Sequence, residues 1–347
     1  MIFVTGGTGL VGAHLLYDLV SRGETVRALI RPGSSIQRTK NIFAFYSPDY
    51  ELLMQNIEWV VGDMLEKENL SKLLAGVDQI YHSAAMVSFD PGDREIMIRN
   101  NVEGTANLAD LALSLKIPRF CHVSSISALG LPPEDIEANE DHPWRNTRNH
   151  SSYGQSKYLS EMEVWRACFQ GLNVVIVNPS VILGPDDWNS GSSVMFRTVW
   201  KGLRFYTKGG TGFVDVRDVT AAMQRLMQDD TWETVKNQRY ILNAGNVTYR
   251  EILNQVADSL HVKRPGFSAG SNLLKLGCLL SALFGFFKGS RPAITCETAR
   301  SANKLSYYDG TKICRAAGFV YTPIRSTIRN ISGLFLKDNH TNADATF

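Results

Sequence analysis

A tyrosine and a lysine four residues apart, Tyr153 and Lys157, form the pattern with the clearest chemical meaning. At that spacing on a helix, both side chains lie on one face. A phenol with a pKa of about 10 exchanges protons poorly at neutral pH, and a nearby ammonium favours its ionised form. The pair therefore predicts proton transfer to or from a carbonyl or alcohol oxygen. Ser125 ends a predicted strand, where its hydroxyl could bind the same oxygen.

A second pattern is the turn Thr5-Gly6-Gly7-Thr8-Gly9-Leu10-Val11-Gly12, which follows a predicted strand and opens a predicted helix. In this setting Gly6, Gly9 and Gly12 permit a tight turn, the approach of a pyrophosphate to the backbone, and close packing of helix on strand. The helix N-terminus adds free N–H groups for phosphate. The turn predicts a dinucleotide site, and a glycine-rich turn without a ligand is the alternative.

The end of the second predicted strand bears on the choice of nicotinamide cofactor. An acidic residue there would bind the ribose hydroxyls of NAD, but the sequence reads Ile30-Arg31-Pro32-Gly33-Ser34-Ser35. Arg31 could clamp a 2′-phosphate, with a hydroxyl from Ser34 or Ser35. NADP(H) is therefore favoured and NAD(H) stays possible. A solvated surface arginine is the competing interpretation.

These residues need a scaffold, and short apolar runs that alternate with helical stretches supply it. Near-continuous apolar strands are typical of a sheet covered on both faces. The alternation predicts an α/β fold with a doubly wound parallel sheet. The predicted strands are Ile2–Thr5, Val26–Ile30, Ile57–Val61, Gln79–His82, Phe120–Ser124 and Val174–Asn178, and the predicted helices are Leu10–Ser21, Glu66–Leu74, Arg94–Lys116 and Ser151–Phe169.

The remaining segments carry weaker patterns. We expect a packed extra helix over 41–56, a loop with one short helix over 184–212, and a strand followed by a helix over 213–228. Further helices are expected over 246–260 and 272–287, and a frayed polar tail over 338–347.

Composition excludes several classes of protein. With 347 residues, 44% of them hydrophobic and 20% charged, the chain is an ordinary globular protein of about two domains. Its formal net charge of +2 leaves no cationic excess for nucleic acid. Five dispersed cysteines favour reduced thiols over disulfides or a zinc site. We expect no secretory leader, no membrane-spanning helix and a cytoplasmic location.

Further motifs join the first two in one family pattern. They are Gly62-Asp63, His82-Ser83-Ala84-Ala85, Asn101-Val102-Glu103-Gly104-Thr105, Ser124-Ser125, Asn178-Pro179-Ser180, Gly184-Pro185 and Val214-Asp215-Val216-Arg217-Asp218-Val219. From Met1 to about Pro323 the chain resembles the extended short-chain dehydrogenase/reductases. This superfamily includes nucleotide-sugar epimerases, dihydroflavonol reductases and 3β-hydroxysteroid dehydrogenases.

The resemblance implies roles for individual residues. Ser125, Tyr153 and Lys157 would form the catalytic triad, Asp63 would accept from the adenine amine, and Asn101 would support the site. Asp218 would tie the two lobes together. The residues that the resemblance and the turn assign to the cofactor are Gly6, Thr8, Gly9, Leu10, Val11, Gly12, Arg31, Asp63, Met64, Ser83, Ala84, Ala85, Asn101, Tyr153, Lys157, Pro179 and Ser180. No metal site is expected, and His82 and His122 are interpreted as structural.

Departures from the family pattern indicate to which branch of the superfamily the chain is most similar. Ser125 is followed by Ile126-Ser127-Ala128, without the acid pair of sugar dehydratases. The arginine with which epimerases hold a diphosphate is missing before Phe213, where Lys208 is the nearest cation. The apolar stretch 272–288 would suit an apolar substrate, although core, a dimer surface or shallow contact with a membrane are alternatives.

The expected architecture is a Rossmann-type sheet with a smaller, mostly C-terminal α/β substrate-binding lobe. The first domain would take 1–177 and about 213–245, the second about 178–212 and 246–337, and the tail 338–347. The expected function is an NADP(H)-dependent reductase or dehydrogenase for a carbonyl or secondary alcohol of a small, moderately apolar substrate. A nucleotide-sugar epimerase with tightly bound NAD and a non-catalytic dinucleotide-binding sensor are the alternatives. The resemblance also implies a homodimer through the helices over 94–116 and 151–169, with a monomer left open.

Overall fold

The computed structural model describes residues 1–88, 90–130, 132, 136–144, 151–270 and 303–344, with the backbone alone at 91 and 340–344. The larger sheet has seven parallel strands in the order β3-β2-β1-β4-β5-β7-β11. These strands are β1 (Ile2–Thr5), β2 (Val26–Ile30), β3 (Ile57–Val61), β4 (Gln79–His82), β5 (Arg119–Val123), β7 (Val174–Pro179) and β11 (Gln238–Leu242).

Helices cover both faces of this sheet, as its apolar strands require. The first part of the chain forms six α-helices: α1 (Leu10–Ser21), α2 (Gln37–Tyr46), α3 (Tyr50–Met54), α4 (Lys67–Leu73), α5 (Arg94–Ile98) and α6 (Gly104–Ser114). The others are α7 (Ser152–Phe169), α8 (Val194–Trp200), α9 (Val216–Leu226), α10 (Asp229–Val235), α11 (Tyr249–Ser259), α12 (Thr311–Ala317) and α13 (Ile324–Asp344).

Two hydrophobic cores form on opposite faces of the sheet. On one face α1 and α9 pack against alternate strand residues such as Val4 and Val177. On the other face α4, α6 and α7 pack against the intervening residues, including Phe3 and Ile176. Side chains that alternate between two covered faces give the doubly wound architecture that the sequence predicts.

A smaller sheet lies in the second part of the chain. It consists of β8 (Val181–Leu183), β10 (Gly210–Asp215) and β12 (Gly245–Thr248), with β10 parallel to β8 and antiparallel to β12. Its core includes Phe213, Ile252 and Phe335, the last two from α11 and α13. Two pairs of two-residue strands complete the described β structure: β6 (Glu137–Ala138) pairs with β14 (Tyr307–Tyr308), and β9 (Phe205–Tyr206) pairs with β13 (Phe267–Ser268).

Several elements differ from those that the sequence predicts. The helix expected over 94–116 is α5 and α6 joined by a π-helical turn, Arg99–Glu103. The helix expected over 41–56 is the pair α2 and α3. The first residues of the helix expected over 246–260 form β12 instead, because they pair with β10.

The C-terminal prediction also needs correction. A frayed tail was expected from Asp338, but α13 continues to Asp344. Asp338 accepts a hydrogen bond from the Trp188 Nε1 at 2.8 Å, which ties this part of the helix to the lobe. The helix expected over 272–287 lies outside the described residues, and the domain boundaries stay a prediction.

Candidate active site

The glycine turn packs directly against the end of β4. Gly6 has a φ of +76°, and a Cβ on it would lie 2.6 Å from the Ala84 backbone nitrogen. A Cβ on Gly12 would lie 2.1 Å from the Gly6 carbonyl oxygen. Both contacts are shorter than real Cβ atoms make, so neither position accepts a side chain without a shift of the turn. The turn therefore has its tight form because both residues lack a Cβ.

The turn lies where the strand order reverses, between β1 and β4. In open α/β sheets this point, at the carboxyl ends of the strands, is where ligands bind. A cleft of about 240 Å³, which we call the first cleft, opens there. Its lining includes the following predicted residues: Gly6, Thr8, Gly9, Arg31, Asp63, Met64, Ser83, Ala84, Ala85 and Asn101.

A second cleft of about 740 Å³ continues from the first. Both clefts share Gly6, Gly9, Ser83 and Ala85 in their linings. The second cleft holds the remaining turn residues and the two chemically distinctive side chains, namely Leu10, Val11, Gly12, Tyr153 and Lys157. The glycine turn and the Tyr/Lys pair, about 140 residues apart in sequence, thus face one continuous space.

Tyr153 lies near the start of α7, which begins at Ser152. The Ser151 hydroxyl caps this helix by accepting from the Gly154 N–H at 2.8 Å. Burial raises the pKa of the Tyr153 phenol, and a hydrogen bond with the Ser125 side chain opposes that rise. The sequence predicts that Lys157 favours the phenolate, but in this structure burial is the larger influence on the pKa of Tyr153 and the Ser125 hydrogen bond is what opposes it, so the phenol keeps its proton at neutral pH.

Lys157 is almost fully buried, 3% exposed, and its Nζ donates to the Val123 carbonyl oxygen at 2.7 Å. Burial lowers the pKa of Lys157 to about 8, and the negative charge of Glu161 works against that fall. An ammonium with this pKa titrates close to neutral pH, which is typical of functional sites.

Asn101 lies in the π-helical turn between α5 and α6 and links three parts of the site. Its amide accepts from the Met86 N–H at 2.7 Å and donates to the Met86 carbonyl at 2.9 Å. It also donates to the Ser156 hydroxyl at 3.1 Å, and Ser156 donates to the Tyr153 carbonyl. The turn, which is of a kind common at functional sites, thus holds the loop after β4 and the start of α7 together.

Three predicted residues, Ser125, Pro179 and Ser180, do not line either cleft. Ser125 contacts the site through its hydrogen bond with Tyr153. Pro179 pairs with Leu242 in the register of β7 and β11, and the Ser180 hydroxyl donates to the Leu242 carbonyl at 3.0 Å.

The structure also shows an ion pair that the sequence does not predict. Arg38, on α2, lines both clefts. Its Nε donates to Asp186 Oδ1 at 2.7 Å, and its Nη2 contacts the other carboxylate oxygen. Asp186 is 2% exposed and belongs to the loop after β8. The two residues are 148 positions apart, so no local pattern signals the contact.

The residues present fit a dinucleotide. Gly6 and Gly9 line both clefts, so the turn presents residues without side chains to the space in which a pyrophosphate would lie. Within the parts of the chain that the structure describes, no cluster of metal-binding side chains occurs. In those same parts no helix is long and apolar enough to cross a membrane.

Comparison with known proteins agrees with this geometry. Residues 4–229 match the NAD-binding family described as male sterility protein. The chain is also 30% identical to a Synechocystis protein named after dihydroflavonol 4-reductase, over 94% of this chain and 92% of that protein. The chain belongs to the extended short-chain dehydrogenase/reductases. It is an NAD(P)-dependent oxidoreductase of that type.

Other relatives extend the comparison within this family of reductases. Sterol demethylase protein B of Methylococcus capsulatus is 29% identical, over 96% of this chain and 97% of its own length. A 3-beta-hydroxysteroid dehydrogenase of Mycolicibacterium neoaurum is 30% identical over 58% of this chain and 51% of its own.

Solved structures show the same fold over almost the whole chain. The crystal structure of gox2253 has a TM-score of 0.78 and 28% identity, and covers 97% of this chain and 98% of its own. The dTDP-glucose 4,6-dehydratase DesIV of Streptomyces venezuelae, solved with NAD and TYD, has a TM-score of 0.74 and 20% identity, over 98% of both chains. The predicted fold class and family are confirmed.

Proposed function

We propose that this dehydrogenase/reductase uses NADP(H) to reduce a carbonyl group of a small, moderately apolar molecule. One observation carries the proposal: Tyr153 and Lys157 line the second cleft, Arg31 lines the first cleft, and the glycine turn lines both. The lining of the second cleft includes Val87, Val123 and Ile182 as well as Tyr153, which supports an apolar substrate. Relatives named for sterol and hydroxysteroid chemistry support the same class.

In the proposed reaction, Tyr153 donates its phenolic proton to the substrate oxygen. The raised pKa of the phenol supports this role, because the proton donor is present at neutral pH. The Ser125 hydroxyl polarises the same oxygen, and the Lys157 ammonium stabilises the tyrosinate that remains. When bound, a reduced nicotinamide supplies the hydride.

The preference for NADP(H) is proposed from the end of β2. Arg31 follows this strand, and it lines the first cleft together with Ser34 and Arg38. Two guanidinium groups and a hydroxyl suit a 2′-phosphate, and the carboxylate that would bind the ribose of NAD is missing at the strand end.

Titration of the protein with NADPH and NADH tests this preference. We expect Arg31→Ala to raise the Kd for NADPH by about 10- to 100-fold, as for the loss of a hydrogen bond to a charged group. The Kd for NADH should change by less than about threefold. Arg22→Ala, an exposed arginine after α1, is the matched control. Equal losses for both cofactors would contradict the assignment.

Identification of the nucleotide released by denaturing the purified protein separates the alternatives. Little bound nucleotide, with loading by NADPH, supports an exchanging cofactor and a reductase. Near-stoichiometric NAD would favour an epimerase that regenerates its cofactor within each turnover. Bound dinucleotide without turnover of any carbonyl substrate would favour a sensor.

A homodimer through the helices over 94–116 and 151–169, a cytoplasmic location and membrane contact through 272–288 stay predictions.

A further inference from the structure

Glu161 is a buried carboxylate that the proposed reaction leaves without a role. It lies on α7, one turn after Lys157, and is 1% exposed. Its Oε2 accepts from the Ser124 hydroxyl at 2.6 Å and from the Asn178 Nδ2 at 2.9 Å. Its Oε1 accepts from the Arg239 Nη1 at 3.1 Å and from the Trp165 Nε1 at 3.2 Å. A buried carboxylate is expensive unless it is satisfied in this way.

All four partners are donors, which restricts the residue at this position. A carboxylate only accepts, so both its oxygens suit the four donors. The Ser124 hydroxyl could accept from a glutamine, but either orientation of the glutamine would turn its NH₂ group toward a group that only donates: the Asn178 NH₂ on one side, or the Arg239 and Trp165 N–H groups on the other. The site is therefore built for a charged group and not merely for a polar side chain of this shape.

Two of the partners of Glu161, Ser124 and Asn178, also fix the backbone at Ser125. Ser124 precedes Ser125 at the end of β5. The same Asn178 Nδ2 that donates to Glu161 also donates to the Ser125 carbonyl at 3.1 Å. From the other side, Lys157 donates to the Val123 carbonyl. The backbone on either side of Ser124 is thus held by two residues of α7, four positions apart.

The charges around Lys157 single out Glu161 as its counter-charge. His82 and His122, on β4 and β5, stay neutral because burial lowers the pKa of each far below neutrality. Arg239, on β11, is cationic and pairs with Glu161 itself. Tyr153 keeps its proton. Glu161 is the group whose charge raises the pKa of Lys157 against the effect of burial.

We propose that Glu161 is a positioning residue: through Ser124 and Asn178 it fixes the end of β5 that carries Ser125, and it supplies the counter-charge of the Lys157 ammonium. The inference rests on the proposed function, because that function gives Ser125 and Lys157 their catalytic roles. It extends that function to a carboxylate and to Arg239, which anchors the carboxylate from a distant strand.

The charge part is tested without substrate or cofactor. Lysines labelled with ¹³C at Cε are titrated by NMR, and the Lys157 signal is assigned by its loss in Lys157→Gln. We expect Glu161→Gln to lower the pKa of Lys157 by about one unit or more. Glu163→Gln is the matched control, because Glu163 lies on the same helix and pairs with Arg166 at 2.7 Å on the surface. An unchanged Lys157 pKa in Glu161→Gln would overturn the counter-charge.

The positioning part is tested by turnover and by a second, milder variant. Ser124→Ala removes one donor and leaves the charge, so it serves even if Glu161→Gln does not fold. We expect a fall in kcat of about 10- to 100-fold for Glu161→Gln and a smaller fall for Ser124→Ala, with the Kd for NADPH kept within about threefold. The Lys157 pKa should stay in place in Ser124→Ala.

A double variant decides whether Ser124 acts through Glu161. The double variant Glu161→Gln/Ser124→Ala should be no slower than Glu161→Gln alone. Multiplied losses, or an unchanged kcat in both single variants, would overturn the positioning role. If the wild-type protein reduces no carbonyl substrate, the proposed function fails, while the NMR titration still tests the counter-charge.

Discussion

At the scale of single residues, Tyr153 is the side chain on which the proposed reaction depends most. Its phenol supplies the proton and no other described group is proposed for that step. We expect Tyr153→Phe to reduce turnover by about 10²- to 10⁴-fold, because a positioned proton donor contributes that much. The Kd for NADPH should stay within about threefold, since the ring remains in the cleft.

Tyr158→Phe is the matched control for this measurement. Tyr158 lies on the same helix, where its ring stacks on Trp144 at 4.3 Å between centroids. The control should keep normal turnover. Turnover by Tyr153→Phe at the wild-type rate would contradict the proposed mechanism.

The charge of Lys157 should set the pH dependence of turnover. The pKa of its ammonium, lowered to about 8 by burial, means that the charge is present below about pH 8 and lost above it. We therefore expect kcat/KM for carbonyl reduction to be level near neutral pH and to fall as pH rises through about 8. A profile that rises through this range would show that a deprotonated group drives the reduction.

The residues that the sequence identifies share one property, a meaningful spacing along the chain. The Tyr153/Lys157 pair and the glycines signal their role within a few positions. Glu161 and Arg239 are 78 positions apart, and the pair of Arg38 and Asp186 is more distant still. Contacts of this kind arise from the fold, so local spacing does not predict them.

At the scale of elements, the glycine turn depends on close contact with its neighbours. A methyl group on Gly12 would meet the Gly6 carbonyl, so Gly12→Ala must displace the turn or the start of α1. We expect a loss of about 1–3 kcal/mol in the free energy of unfolding, typical of overpacking, and at least a tenfold weaker binding of NADPH. Urea unfolding and cofactor titration measure the two effects.

Gly266→Ala provides the comparison. A Cβ on Gly266 would meet nothing within 4 Å, and its φ is not positive. This variant should unfold and bind NADPH like the wild type. Similar behaviour of the two variants would contradict the role assigned to the turn.

Element boundaries show where sequence patterns lose their power. The apolar pattern over 94–116 is continuous, and it carries no sign of the π-helical turn at Asn101. That turn is stabilised by contacts with Met86 and Ser156, which lie on other elements. The strand β11 is not predicted from the sequence, because it begins with the polar Gln238 and Arg239 and leaves an apolar run of three residues.

At the scale of the whole molecule, we expect two buried histidines on neighbouring strands to have opposite effects on stability. His82 forms hydrogen bonds with Thr5 and Thr105 at 2.7 and 2.8 Å. Both ring nitrogens of His122 lack a partner among the described residues. We expect His82→Leu to lower the free energy of unfolding by about 2 kcal/mol or more, and His122→Leu to raise it by about 1 kcal/mol.

The advantage of His122→Leu over the wild type should grow in acid. Burial lowers the pKa of His122 well below 6.5, so only the unfolded chain takes up its proton as pH falls below 6.5, which weakens the wild-type fold. His122→Leu escapes this loss, and its advantage should increase by about 2 kcal/mol between pH 6.5 and about 5. Urea unfolding at both pH values measures this, with exposed His261→Asn as the control. An advantage that shrinks in acid would mean that His122 is charged in the fold.

The position of Arg239 has a consequence for how the protein is synthesised. The ribosome completes Tyr153 and Lys157 long before β11, the strand that covers the open edge of β7 and carries Arg239. Until then β7 exposes unpaired backbone groups, and the carboxylate beneath the catalytic lysine lacks its cation. A nascent chain that stops at residue 229, where the family match ends, therefore has every residue of the triad and an unfinished site. The strand that completes the sheet is thus also the one that brings Arg239 to Glu161.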